Sequence, residues 1–444
     1  MPARAGDMAV ETHGIAPIPP GNRYGTARRL FTVWFAPQVN MTVVFTGTLA
    51  IVLGLGFWLG LLAMVIGTVV GCLAVGYLST WGPRTGTAQL PNARMAFGGT
   101  VAVVAVIQWL SSIAWDGLVG LFGGEALAEL LGIPFWLAVV IVLAAQGVVG
   151  VFGYEVIHRV QAVMTVVLIV TFAIFAVKLV TGHEVVAAPT LAGADLSGAF
   201  VLEVTIALSL AISWASYASD YSRYLPVNTS RTAVFGYTFT GLAVAYIAVQ
   251  AIGVAGAAVL TDQTAQGVRS IMGGGVLGAL ALIVIALGSV ASNAMNDYSG
   301  SLALQTVGVR VRRPVSAVVV VVIAFALILW LHSGDMAGRF QGVLLFVSYW
   351  IPAFVAIVAI DWRHRSAGRD VVNPAEESTD RADAWVALGV FLAAFAAAVP
   401  FMHTNLIVGP VAAALHGADL AYFVNFLVAA TLYGGYRVWR MRRS

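Results

Sequence analysis

Apolar residues arrive along this chain in runs of about twenty, divided by short polar breaks, and the runs recur from end to end. A helical run of about that length matches the hydrocarbon thickness of a bilayer. The pattern predicts twelve spans, at about 31–54, 57–79, 97–121, 134–153, 159–180, 197–224, 232–260, 273–304, 314–332, 341–361, 383–402 and 418–438. A polar N-terminal segment, 1–30, precedes them. It contains Pro17, Pro19 and Pro20, lacks the apolar core of a signal peptide, and is expected to be disordered. A charged connector, 362–382, separates spans ten and eleven, and a tail, 439–444, follows span twelve.

Charge tests this count. Of the 23 Lys and Arg residues, all but Lys178, Arg269 and Arg339 fall in segments that share one side with both termini. They are Arg4, Arg23, Arg28, Arg29, Arg84, Arg94, Arg159, Arg223, Arg231, Arg310, Arg312, Arg313, Arg363, Arg365, Arg369, Arg381, Arg437, Arg440, Arg442 and Arg443. Cytoplasmic loops carry such an excess, so both termini are expected in the cytoplasm and the chain in the cell membrane. Composition agrees: 60% of residues are hydrophobic and 10% charged, against about 25% charged in soluble domains. The basic residues sit in short loops, which argues against a nucleic-acid partner. The bilayer is the expected partner, the oligomeric state is left open, and the single Cys72 excludes an intrachain disulfide.

Polar groups inside a span are costly unless they face the bundle interior, so each is a candidate site. Span one has Gln38 and Asn40 after Pro37. Span three has Ser111, Ser112 and Asp116 around Trp115. Span six ends in SWASYASDYSRYLP, Ser213 to Pro226, where Ser213, Trp214 and Ser216 put an indole among hydroxyls and Glu203 lies towards the outer end. Asp220 and Arg223 stand three apart and can pair where the helix meets water. In span eight, Ser289, Ser292, Asn293 and Asn296 share one helical face beside Asp297. Gln146 and Gln250 read as interhelical hydrogen-bonding residues. Two tryptophans among hydroxyls and amides suit a flat, polar heteroaromatic ligand, sandwiched between rings and bonded at its edge. Tightly packed helices sewn by a Ser/Asn seam are the other reading of the same residues. No His lies deep in a span and no nucleophile–base constellation is present, so an intramembrane enzyme is disfavoured; a passive channel is the remaining rival.

Four motifs then stand in order: WFAPQVNM from Trp34, Trp115 followed by GGE at Gly123–Glu125, SWASYASDYSRYLP, and SNAMNDYSGSLALQT from Ser292. Together they resemble the nucleobase:cation symporter-1 family, over about residues 20–440. The resemblance implies an all-α, leucine-transporter-like fold. Two inverted five-helix repeats, about 31–180 and 197–361, would form the core 31–361, and two additional spans, 383–438, would follow. It implies a secondary active symporter that imports a cytosine- or purine-like base, or a related heterocycle, with a cation by alternating access. It further implies that Trp115 and Trp214 sandwich the ring, with Asn40, Ser112, Ser213, Ser216, Asn293, Asn296 and Asp297 around it. Val119 stands where relatives carry an amide, and Ser112 where cytosine permeases carry a glutamine, so the particular heterocycle stays open. The cation site would use the Ala36 and Val39 carbonyls with Gly288, Ala291 and Ser292. Ala291 replaces a hydroxyl residue there, which leaves sodium, or protons through Asp297 or Asp116, as coupling ion. No other cofactor is expected.

Overall fold

The computed structural model describes residues 14–151, 154–261, 264–308, 313–366, 372–374 and 379–443. Arg4, Arg310, Arg312 and Arg369 lie outside the described residues, as do 1–13 of the N-terminal segment and 367–371 and 375–378 of the connector. The described residues are helical, with one isolated bridge between His403 and Val408. A helix stands at every expected span. Within the described residues seven are long and apolar enough to cross a bilayer, and the bent pair Arg28–Gln38 and Met41–Val52 makes an eighth. Phe135–Val148, Val166–Gly182 and Val319–His332 are shorter apolar stretches.

Three spans are interrupted. Span one runs as Arg28–Phe35, a tight turn Ala36–Gln38, and Met41–Val52, with a bend of 61°. Span six runs as Gly193–Ile212, a tight turn Ser213–Tyr217, and Ala218–Ser222. Span ten, expected as one helix, runs as Met336–Phe346 and Ile351–Arg365 around a turn, with Pro352 in the first turn of its second half. A proline tolerated at a helix start cannot sit in its interior, and that restarts the helix. Span three, expected to end at 121, continues as Val101–Leu131.

Two bodies follow from the packing. Span eight (Gly275–Val307) lies along span three and also meets span four (Phe135–Val151). Span two (Gly56–Ser79) lies along span six, and span seven (Arg231–Leu260) along spans one and two. Small residues allow this closeness. At the crossing of spans one and seven, Gly253 lies against the Val44 carbonyl, and Gly47 against the Gln250 carbonyl.

The N-terminal segment departs from the expected disorder. Ile18 is buried, and its N–H donates to the Gly86 carbonyl at 2.8 Å. Arg23 donates to the Ile18 and Pro83 carbonyls at 2.8 and 2.6 Å, and Tyr24 N–H to the Tyr224 carbonyl at 2.7 Å. One apolar anchor and one guanidinium fork fasten residues 14–27 across helix ends whose carbonyls need donors. The segments expected on one side do meet there: Arg84 reaches the Ser366 carbonyl, Arg94 the Thr306 carbonyl and Arg223 the Gly14 carbonyl.

The span one–seven crossing gives a stability prediction. Gly253→Leu forces side-chain atoms into the Val44 backbone, which nothing flexible can yield to. It should cost about 1–3 kcal/mol or more, the scale of overpacking, and lower the melting temperature in detergent. An unchanged melting temperature would show that the crossing is loose.

Candidate functional site

The interruption of span one is built around Pro37. Proline supplies no N–H and leaves neighbouring backbone groups open. Asn40 closes the gap by capping the second half: its Oδ1 accepts Val43 N–H at 3.1 Å and its Nδ2 donates to the Pro37 carbonyl at 2.5 Å. Ser292 of span eight donates to the same carbonyl at 3.2 Å. Gly288, one turn earlier on span eight, faces the Val39 carbonyl; a Cβ there would lie 4.0 Å from it. Ala36, Val39, Gly288, Ala291 and Ser292 are all buried, and the span one turn lies against span eight. Ser292 spends its proton on Pro37, while its oxygen keeps lone pairs.

Hydroxyls hold the interruption of span six. The Leu210 carbonyl accepts from Ser213 Oγ at 2.8 Å and from the Tyr246 hydroxyl at 3.2 Å. Ser216 Oγ donates to the Ser213 carbonyl at 3.2 Å. Trp214 Nε1 donates to the Tyr246 hydroxyl at 2.7 Å, so one phenol fixes both the helix end and the indole edge. Trp34 meets Trp214 edge-on, centroids 5.6 Å apart, and Tyr217 packs on it at the same separation. From span three, Gln108 Nε2 donates to the Tyr217 hydroxyl. Gln108 and Trp115 are two turns apart on one helical face. Among the described residues, Trp115 and Trp214 make no ring contact with each other. Both are buried, with 8% and 7% of their surface exposed.

The polar face expected on span eight is divided among neighbours. Ser292 points at span one, while Ser289 packs on Gly123 of span three. Asn293 donates to the Asp116 carbonyl at 3.1 Å and to Gln146 Oε1 at 2.8 Å, and its Oδ1 accepts from Asn296 at 3.1 Å. The Asp116 and Asp297 carboxyls neighbour each other across spans three and eight, with Asp116 Oδ1 and Asp297 Oδ2 buried and unpartnered among the described residues. Ser112 donates to the Trp109 carbonyl at 2.7 Å and lies against Gly300. Asn293 thus takes part in a knot that ties spans three, four and eight, and Ser112 lies on the face of span three that meets span eight. The reason is helical phase: Asn293 points about 100° round the helix from Ser292, the residue that meets span one. Gln146 and Gln250 are interhelical as expected, Gln250 donating to Thr68 Oγ1 at 3.0 Å.

The end of span six also departs from expectation. Asp220 and Arg223 are buried rather than at water. Asp220 accepts Gln89 N–H at 2.9 Å. Arg223 donates to the Gly14 carbonyl and to the Tyr298 and Tyr224 hydroxyls, at 2.7, 2.9 and 3.1 Å. The N-terminal segment and two tyrosines cover what a bare helix would expose. Glu203 is fully buried, with neither carboxyl oxygen partnered among the described residues. Sequence reading passed over Gln108, Tyr246 and Tyr298. Gln108 was visible as an amide in an apolar run, whereas the tyrosines carry no periodic signal that separates them from ordinary packing.

Comparison with known proteins places this geometry. A family described as permease for cytosine/purines, uracil, thiamine, allantoin matches residues 17–425. A putative purine-cytosine permease of Bacillus subtilis, YxlA, is 25% identical over 448 residues, covering 96% of this chain and 95% of that one. The purine-cytosine permease fcyB of Emericella nidulans is 25% identical over 458 residues, 97% of this chain and 88% of that one. The inward-facing structure of Mhp1 superimposes with a TM-score of 0.77 at 18% identity, covering 98% of this chain and 95% of that one. That likeness bears out the expected leucine-transporter-like, all-helical fold. The matches are transporters rather than enzymes, and the chain belongs to the permease family for cytosine/purines, uracil, thiamine and allantoin.

Proposed function

We propose that this protein is a secondary active symporter that imports a cytosine- or purine-like heterocycle together with a cation across the cell membrane. Both termini are cytoplasmic in this reading, from the arginine distribution. The observation that carries it is the pair of interrupted spans, one and six, with Trp214 in the span six turn and span three alongside, where Gln108 meets Tyr217 and the Leu118 carbonyl meets Thr42. Interrupted helices leave backbone groups at mid-membrane, where a ligand and an ion can use them. The two indoles hold the ring by its faces. Ser213, Ser216, Asn40 and Asn296 are the edge contacts, through lone pairs and the N–H groups that capping leaves free. The coupling ion is sodium at the Ala36 and Val39 carbonyls with Ser292, beside Gly288 and Ala291, or a proton on the Asp116–Asp297 pair. Rocking of spans one, two, six and seven against three, four, eight and nine alternates access to the site.

Transport itself is the first test. Proteoliposomes given radiolabelled cytosine or a purine should accumulate it above the outside concentration when a sodium or a proton gradient points inward. Uptake indifferent to both gradients would replace the symporter by a passive facilitator. If sodium drives uptake, Ser292→Ala removes an oxygen that a hard cation needs and raises the sodium requirement. If protons do, the same substitution leaves uptake nearly unchanged.

The indoles make the second. Trp115→Ala and Trp214→Ala should each weaken substrate binding by about 1 kcal/mol or more, roughly fivefold, the scale of aromatic stacking. Unchanged affinity in two well-expressed variants would return both rings to packing. Asn293 should behave differently. Asn293→Ala leaves the Gln146 oxygen and a span three carbonyl unpaired, so it should lower thermal stability by about 1–3 kcal/mol and keep the rank order of heterocycles. A changed ranking at unchanged stability would put Asn293 back at the ligand.

A further inference from the structure

We propose that the groove between the first turns of spans three and eleven is a binding site for an anionic phospholipid. The groove is open, about 500 Å³ in volume, and lies at the arginine-rich end of the helices. Its lining changes character with depth. At the rim stand Gly99, Thr100 and Arg381; further along both helices come Trp385, then Val103 and Leu388. Spans three and eleven begin at the same end, so this polar-to-apolar order runs in one direction. A phospholipid has the same order, from phosphate through ester region to acyl chain.

Arg381 supplies the charge selection. The described acids of this neighbourhood are already taken. Asp361 pairs with Arg365 at 2.6 Å and lies 3.5 Å from Arg437, while Asp380 and Asp383 both meet Arg440. Arg381 is exposed and has no ion pair or hydrogen bond among the described residues. A guanidinium left over at a membrane surface suits a phosphate, which it can bind with two parallel N–H groups. Trp385 is 57% exposed, and an indole at the boundary between water and hydrocarbon fits the ester region. Val103 is 41% exposed and continues the wall into the apolar zone. Thr100 donates to the Ala384 carbonyl at 3.1 Å, so the two helices are already stitched at the polar end of the groove. A lipid seated above that stitch would brace span eleven, which lies outside the ten-helix core, against span three, which is part of it.

The full chain, purified in detergent, is titrated with phosphatidylglycerol, phosphatidylcholine or inorganic phosphate, and binding is followed by native mass spectrometry and by melting temperature. Phosphatidylglycerol should bind and raise the melting temperature, phosphatidylcholine should bind at least fivefold more weakly, and inorganic phosphate should do neither. Arg381→Gln should abolish the preference for phosphatidylglycerol. Gly99→Leu blocks the groove by volume alone, because a Cβ at Gly99 meets nothing within 4 Å and the variant has room to fold. It should lose the bound lipid with an unchanged lipid-free melting temperature. Wild-type phosphatidylglycerol affinity in both variants overturns the site. Equal affinity for the two lipids overturns its charge selection, and a full shift from phosphate alone makes it a site for a free anion.

Discussion

A helix can be interrupted inside a membrane only if its loosened backbone groups find partners, because hydrocarbon offers none. The architecture around spans one and six answers that constraint. At Pro37 the open carbonyl takes Asn40 and Ser292; at Leu210 it takes Ser213 and Tyr246. Each interruption is therefore repaired partly by its own span and partly by another. Span eight repairs span one, and span seven repairs span six. The interruptions can persist as permanent features without unwinding further, and they tie their spans to defined neighbours.

The two repairs are mechanically different. Tyr246 and Leu210 belong to spans seven and six, which both pack on span two, so the hydrogen bonds from Trp214 through Tyr246 to Leu210 stay within one body. Ser292 and Pro37 belong to opposite bodies, as do Gln108 and Tyr217. Bonds of the first kind preserve a local shape. Bonds of the second kind must be broken or exchanged when one body rocks against the other. The Asn293–Gln146–Asp116 knot is of the first kind and keeps spans three, four and eight together. Rigid bodies joined by a few exchangeable contacts are what alternating access requires.

Much of this was legible in the sequence. Apolar runs of about twenty residues marked the spans, and Pro37 beside Asn40 marked the first interruption. The small and hydroxyl residues from Ser213 onward read equally as a tightly packed helix end, so the second interruption was not visible in them. Nor was direction legible. Ser289, Ser292, Asn293 and Asn296 share a face on paper, but that face is wide enough to touch spans one, three and four at once. Sequence spacing gives the angle between two side chains and says nothing of which neighbour stands at each angle. The order of residues 14–27 was hidden for a related reason. Their anchors, Ile18 and Arg23, are single residues whose partners, Gly86 and Pro83, lie more than fifty positions away. Span ten reads as continuous because no charge interrupts its apolar run between Arg339 and Asp361, although Pro352 stands at the break.

Hydrogen-bond saturation also constrains how a ligand can be chosen. Near the interruptions, Asn40, Ser213 and Ser216 already satisfy backbone atoms, and Asn293 has both donors engaged. The protons of Ser213 and Ser216 are committed, so what these serines retain is acceptor capacity, joined by one N–H of Asn40. In the proposed site the faces of Trp115 and Trp214 take the ring, and an aromatic face accepts any flat ring of suitable size. Strong discrimination between ligands comes from polar groups that are left unpaired by the wrong one. A site with few such groups and two ring faces discriminates by shape first and by edge pattern second. A family whose description spans cytosine, purines, uracil, thiamine and allantoin can thus keep the two platforms and change its choice through one or two edge positions. The resemblance sets Ser112 and Val119 of span three at such positions. Ser112 is turned to Gly300 and Val119 has no polar atom. In the proposed site span three would therefore contribute its indole and little else, leaving the choice at the ring edge to the serines of span six.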